Sequence, residues 1–494
     1  MGQNRSLVAK ASRLTYNEEM AGIDKKVIFD NIHGYITLNR VENRILETLY
    51  YQRLRWIRQL GFSFYIFPGA THTRHAHALG VSHIMDRILK NIGLATTEEK
   101  LFNPKCQDDT TVFHRTMRLA AMLHDVGTFP FSHSVEMGYI NHYKKQQRLK
   151  KTKYKANHET LGRQLIQHTD FEGGMTKILK EEGIDPVLLS EIIAGESKNP
   201  LANQLMHADV DADRMDYLIR DAKHTGVNIG LFDLDFLIRS LRMFQDAEGK
   251  KFLSIYEDGL NVVDSFLVSR YFWYSQIIHE GTGYKFDLLA AKICEYFLEN
   301  GLIYSFDELM DELCPDPYKY FTFDDAYFVG KLHEYLSGKA AHPMIRELTE
   351  MLARRQPPSQ IRVQPFTSSV VESEEHRALL VSQCEKAVAW LEEELKRLDP
   401  NAWMIVDIPS KDVMFTKSSQ NLKKENHTPP LKSRDAVKVL TRHGDLKLLV
   451  ESSNSLMKIL SQYRNFIPRV YVSPKTYELL SSRGIFETLH RTAF

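Results

Sequence analysis

The chain has 494 residues, with 64 Lys or Arg against 63 Asp or Glu for a formal net charge of +1, and is 43% hydrophobic and 26% charged. That length calls for two or three packed units rather than one core, and the composition excludes a disordered or fibrous chain. The balanced charge leaves no global field for nucleic acid or a membrane, while four scattered cysteines without a CxxC pair exclude a disulfide framework and a zinc ribbon and predict a reducing cytoplasm.

In chain order, residues 1–25 read as an N-terminal tail, and no apolar run there or further on is long enough to cross a bilayer. From Lys26, "KKVIFDNIHGYITL" sets Val27, Ile28, Ile32, Ile36 and Leu38 among Asp, Asn and Gly turn formers, which predicts a hairpin. After Asn39 the apolar residues Val41, Ile45, Leu49, Leu54 and Ile57 recur at helical spacing. Helices then dominate to about residue 300, as in "GVSHIMDRILKNIGL", "TMRLAAMLHDVG" and "FDLLAAKICEYFLENGL". The expected fold is mainly α: a helical core over 26–300 with short β-hairpins. Within it, "HYKKQQRLKKTKYK" (142–155) reads first as a solvated face and second as a phosphate-binding patch.

Residues 301–365 read as a connector with helices, acidic and aromatic in "FDELMDELCPDPYKYFTFDDAYF" and closed by the proline-rich "MLARRQPPSQIRVQP". Residues 366–494 combine an amphipathic helix, "EEHRALLVSQCEKAVAWLEEELKRL", with β-like "AWMIVDIP", "KLLVES" and "RVYVS". They predict a small α/β C-terminal lobe.

Four segments concentrate His and Asp in helical context: "THTRHAHALG" (71–80), "HDVGTFPFSH" (124–133), "NHET" (157–160) and "DVDADRMDYLIRD" (209–221). Imidazole and carboxylate together suit a divalent transition metal. No segment supplies enough ligands alone, so the fold must bring helices together, as helix-bundle metal sites do. On a helix, Asp213, Asp216, Tyr217, Arg220 and Asp221 fall on one polar stripe. Such a stripe is ordinarily plain surface. The adjacent His124 and Asp125, however, end an almost purely apolar helix, and an ionised buried Asp needs a partner or a metal.

The arrangement His77, His124–Asp125, Asp213 resembles the HD superfamily of metal-dependent phosphohydrolases. The flanking "IHGYITL", "YQRLRWIRQLG", "FPGATHTRHAHALGV", "HDVGTFPFSH" and "DADRMDYLIRDAKHTGV" look like its deoxynucleoside triphosphate triphosphohydrolase branch, in the manner of prokaryotic members without a SAM domain. The resemblance implies a helical HD core with His77, His124, Asp125 and Asp213 as ligands of Fe, Mn, Zn, Ni or Co, and Mg accompanying the nucleotide phosphates. It further implies attack on the α-phosphorus and release of deoxynucleoside and triphosphate from a dNTP. Arg74 and Arg214 match phosphate-binding positions; His133 matches a general acid, His158 and Glu159 a pair near the phosphates, and Glu136 a further carboxylate. Gln59, Leu60, Tyr217 and Asp221 match a deoxyribose pocket. Lys26, Glu47 and Arg55 match a site for an activating GTP or dNTP between subunits of a homotetramer or dimer of dimers.

Each position also has a plain structural reading: surface salt bridges for the arginines and for Glu47 with Arg55, a cap or core histidine for His133, and core for Leu60. Three departures from the branch are visible. Thr128 replaces a histidine. In "SQIIHEGTGYK", Ile277 replaces a base-stacking tyrosine and Glu280 a lysine. An arginine at the triphosphate end is shifted by one place, leaving Arg270 as its candidate. Two alternatives stay open: an HD-type monophosphatase or phosphodiesterase, and a nucleotide- or nucleic-acid-binding protein with an altered site that uses 142–155 or 411–434.

Overall fold

Alternation along Lys26–Leu38 yields the expected hairpin in the computed structural model, which describes residues 25–148, 153–278, 281–338, 342–364, 366–416 and 436–491. Residues 1–24 of the N-terminal tail, Glu280 and most of 411–434 lie outside the described residues. Strand β1 (Lys26–Asp30) pairs antiparallel with β2 (Gly34–Leu38), with Val27 opposite Thr37 and Phe29 opposite Tyr35. Ile36 and Leu38 enter the core. Asn39 then caps helix α1 (Arg40–Leu46) in a capping box with Glu42, which satisfies two end-of-helix donors at once.

The core is a pack of helices: α2 (Arg74–Asn91), α3 (Asp109–Leu123), α4 (His133–Arg148), α5 (His158–His168), α6 (Pro186–Ala194), α7 (Ala212–Thr225), α8 (Leu260–Trp273) and α9 (Gly283–Glu299). Side-chain caps start several of them. Asp108 opens α3, Asn157 opens α5 and Asp211 opens α7 by accepting backbone N–H groups that have no partner inside the helix. Two close approaches fix the geometry around the HD dipeptide. A Cβ on Gly127 would lie 2.3 Å from both the Gly162 nitrogen and the His158 carbonyl, so only glycine lets α5 reach the turn after α3. A Cβ on Gly80 would lie 2.0 Å from Asp216 Oδ1, which is how α2 and α7 come together.

Strands β3 (Leu241–Gln245) and β4 (Lys251–Tyr256) form a second antiparallel hairpin. The long helix α10 (Glu374–Leu398) follows the connector, and the three β-like runs become β5 (Met404–Asp407), β7 (Leu446–Leu448) and β8 (Arg469–Val472). Strand β6 (Lys438–Leu440) pairs antiparallel with β7 and parallel with β4, placing Val439 opposite Ile255. The C-terminal region thus extends a sheet of the helical core. A smaller apolar cluster of its own gathers Ile361, Ala387, Leu391, Val470, Val472 and Leu480. In the basic run, Lys145 pairs with Glu295 and Glu299, and Lys153 with Asp311, as its reading as a solvated face expects.

Candidate metal centre and cavity

Helices α2 and α7 and the end of α3 converge on one point. His77 Nε2 lies 3.1 Å from Asp213 Oδ1 and 3.9 Å from Asp125 Oδ2. His124 Nε2 lies 3.3 Å from Asp125 Oδ2 and 3.7 Å from Asp213 Oδ1. The four residues read from the sequence as ligands therefore do meet, and His77, His124 and Asp125 have donor atoms close enough to share one cation.

The second nitrogen of each ring explains the arrangement. His77 Nδ1 donates to Asp216 Oδ2 at 2.8 Å, and His124 Nδ1 donates to the Ala121 carbonyl at 2.8 Å. With Nδ1 carrying the proton, Nε2 keeps its lone pair. Both Nε2 atoms are buried and make no hydrogen bond, although carboxylate oxygens converge on them. Two orphaned imidazole lone pairs facing two carboxylates are a donor set that fits a divalent transition metal. The electrostatics agree. Burial disfavours charge on both rings, but the carboxylates outweigh it and raise the affinity of His77 and His124 for positive charge. Burial likewise opposes the Asp125 anion, and the Arg74 and His124 charges still hold it well below the usual range.

Asp216, in the predicted polar stripe, is fully buried rather than surface. Oδ2 accepts from His77 Nδ1 and Arg220 Nε at 2.8 Å each, and Oδ1 accepts from His33 Nε2 at 2.6 Å and Arg220 Nη2 at 3.0 Å. Arg220 then reaches Asp30 on β1 at 2.9 Å. An ion pair of this kind must be fully satisfied to be tolerated, and here it anchors the hairpin to α7.

From the cluster a cavity of about 340 Å³ extends past Arg74, His133, His158, Glu159, Arg214, Gln59, Leu60, Tyr217 and Asp221. Of the phosphate, acid and sugar positions named from the sequence, these nine line it, Glu136 stands directly behind, and Arg270 lies elsewhere. Glu136 accepts from His133 Nδ1 and His158 Nδ1, each at 2.7 Å, and from the His158 N–H at 2.7 Å. Burial would lower the His158 imidazolium, but the Glu136 charge more than compensates and raises it. Arg214 lines the cavity and is ion-paired to Asp211. At the far end Gln59 Oε1 and Tyr217 Oη are buried with no hydrogen-bond partner. Asp221 accepts from His72 Nε2 at 2.7 Å and Trp273 Nε1 at 2.9 Å.

Three positions singled out in the sequence lie off the cavity wall. Arg270 does not line the cavity: it is buried on Asp209 at 2.8 Å and on the Phe415 carbonyl at 2.7 Å. Thr128 is buried with its carbonyl held by Arg53, away from the cavity wall. Ile277 is also buried, and its neighbours Trp273, Tyr274 and Ile278 take the cavity positions. Trp273 packs on Tyr217 with centroids 4.4 Å apart. Sequence reasoning missed it because Trp273 belongs to the buried, apolar side of α8, where an aromatic residue reads as ordinary core. Lys26 and Glu47 meet at 3.4 Å on the surface, and Arg55 bonds Gln52 at 2.8 Å.

Comparison with known proteins fits this geometry. The HD domain family model matches residues 74–221, which span all four converging residues. An uncharacterized protein of Methanocaldococcus jannaschii is 34% identical over 253 residues, covering 51% of this chain and 45% of that one. The human deoxynucleoside triphosphate triphosphohydrolase SAMHD1 is 27% identical over 266 residues, covering 49% and 40% respectively. The chain thus spans about half the length of the curated relatives it matches. A solved structure of a hypothetical protein from Aquifex aeolicus shares the fold, with a TM-score of 0.62 at 23% identity over 94% of this chain and 99% of that one. Among the described residues no helix is long and apolar enough to cross a membrane. Residues 74–221 thus match the HD domain, and the relatives of the chain include a deoxynucleoside triphosphate triphosphohydrolase.

Proposed function

We propose that the protein is a metal-dependent phosphohydrolase that cleaves dNTPs to deoxynucleoside and triphosphate. The observation that carries this reading is the pair of buried, unpartnered Nε2 atoms of His77 and His124 beside Asp125 and Asp213, where His124 and both carboxylates line a cavity that also holds the unpartnered Gln59 Oε1 and Tyr217 Oη. A cation held by His77, His124, Asp125 and Asp213 would polarise a phosphate oxygen and lower the pKa of a coordinated water. Arg74 and Arg214 grip phosphate oxygens with planar guanidinium groups. Water adds to the α-phosphorus, the bond to O5′ breaks, and the departing O5′ takes a proton from His133, oriented through Nδ1 by Glu136. His158, made more basic by the same carboxylate, supplies positive charge beside the phosphates. Gln59 and Tyr217 hold the sugar hydroxyl, and a sugar lacking it leaves them buried and unpaired. Tyr217 and Trp273 supply aromatic surface where the family's stacking tyrosine is absent.

Lys26, Glu47 and Arg55 sit apart from this cavity, and we assign them to a second, activating nucleotide in a homotetramer. The test is to incubate protein loaded with Mn, Fe, Co, Ni or Mg with each dNTP, with and without GTP, and identify the products. Triphosphate release, abolished in Asp125→Ala and His124→Ala, supports the reading. Inorganic phosphate from dNMPs moves the assignment to a monophosphatase. No consumption of either nucleotide removes it.

A further inference from the structure

The segment 306–328 reads as a mere connector in the sequence, yet it sends one buried carboxylate into the wall of the site. Asp325, 5% exposed, spans two strands of backbone that carry cavity residues. Its Oδ1 accepts from the Phe131 N–H at 2.6 Å, and its Oδ2 accepts from the Arg58 N–H at 3.1 Å. Phe131 and the following Ser132 both lie in the left-handed region, at φ 50° and 55°. Non-glycine residues rarely adopt that conformation, and two in succession persist only where surrounding structure imposes it. The carboxylate takes the Phe131 N–H and holds the turn in place.

That turn has a task. Ser132 Oγ donates to the Arg58 carbonyl at 2.6 Å and accepts from Arg74 Nε at 2.9 Å. Arg74 Nη1 is ion-paired to Asp125. Asp325 therefore ties residue 58 to residue 131, and Ser132 ties residue 58 to residue 74. Residue 58 is itself fixed against 73 by an isolated bridge, flanked by bonds of 3.0 Å from Gln59 N to the His72 carbonyl and from Arg74 N to the Ile57 carbonyl. Each link leads to the Arg74 guanidinium, at the point where it faces both Asp125 and the cavity.

We propose that Asp325 is a positioning residue for the phosphohydrolase site, acting through Phe131–Ser132 and Arg58 to aim Arg74 at the substrate phosphates. The inference rests on the function proposed above for Arg74 and needs no direct contact between Asp325 and substrate. Asp325→Asn keeps a neutral acceptor for one of the two N–H groups, Asp325→Ala keeps none, and Ser132→Ala cuts the later link.

The test measures kcat and KM for a dNTP, and by calorimetry the affinity of the Mn-loaded protein for inorganic triphosphate, well below each variant's melting temperature. Displacing a substrate-orienting group costs about 10- to 100-fold in rate. Asp325→Ala should lose that much in kcat/KM, Asp325→Asn should recover most of it, and the double variant with Ser132→Ala should be no worse than Ser132→Ala alone, because both act on one group. Triphosphate affinity should fall in parallel with that of Arg74→Ala. A wild-type kcat/KM and triphosphate affinity in folded Asp325→Ala, or fully additive losses in the double variant, overturns the proposal. If the wild-type protein hydrolyses no nucleotide, the functional reading fails, while triphosphate affinity still decides the role of Asp325.

Discussion

Asp216 offers a direct check on why the metal centre has the shape it does. All its acceptor sites are used, two by Arg220 and one each by His77 and His33, and the bond to His77 Nδ1 leaves Nε2 as a bare lone pair. Asp216→Asn keeps the shape and removes the charge. Its amide nitrogen can face a His33 that exchanges tautomer and accepts, though it opposes the Arg220 Nη2 donor, and the asparagine oxygen remains for His77 Nδ1 and Arg220 Nε. Loss of such an outer partner weakens metal binding by about 10- to 100-fold, or about 1.4–2.7 kcal/mol. The asparagine belongs at the lower end. Asp216→Leu, which leaves Nδ1 with no acceptor, belongs at the upper end. Both variants strip Arg220 of half its counter-charge in a buried site, so the metal-free fold should lose about 3 kcal/mol, measured by urea denaturation. Titration with Mn or Ni by calorimetry gives the affinity. Folded Asp216→Leu that binds metal as tightly as wild type would falsify the claim that Asp216 fixes the His77 tautomer.

Glu136→Gln removes the charge that keeps His158 basic. Burial then dominates, the His158 pKa falls, and the alkaline limb of kcat/KM against pH moves to lower pH; an unmoved limb refutes the coupling. Burial pushes the Asp325 carboxyl up to about 6, with its N–H donors only partly opposing. A carboxyl with a raised folded pKa stabilises fully below its unfolded value and loses that contribution as pH rises through about 6. Wild type should therefore gain about 0.8 kcal/mol over Asp325→Asn on going from pH 7.5 to 5.5 in paired urea melts, and equal pH slopes would contradict it. Gly127→Ala drives a methyl into the backbone of residues 158 and 162. Overpacking against side chains already costs about 1–3 kcal/mol, and against backbone the loss should reach the top of that range and depress turnover by shifting His158. A variant with native melting and turnover would show that α5 can retreat freely.

Legibility in the sequence followed chemical locality. His124 and Asp125 stood out because an apolar helix does not end in a buried charge without reason, and the spacing of Asp213, Asp216, Tyr217, Arg220 and Asp221 correctly placed them on one face. Whether that face was wet or buried was not legible. It is decided by Asp30 and His33 on the hairpin, more than 180 residues away, which give Arg220 and Asp216 their partners. The helices and the first hairpin were readable from period and turn residues. The parallel pairing of β6 with β4 was not, because nothing local couples Val439 to Ile255.

The same division explains why Arg270 was misplaced. Arg270 was assigned by its neighbours in sequence, but its real neighbours are Asp209 and the Phe415 carbonyl, brought in from the C-terminal region. Trp273 escaped notice because an aromatic residue on the buried side of a helix reads as core. Thr128, which stands where the branch has a histidine, is buried beside Arg53, while His133, Glu136 and His158 form a hydrogen-bonded trio. Parts of the cavity that sequence order hides are carried by segments outside residues 74–221: Trp273 lines it beside Tyr217, and Asp325 holds the Phe131 N–H of the turn. A cluster of four residues gathered from within 74–221 still depends on segments beyond that range for the shape of the cavity it faces.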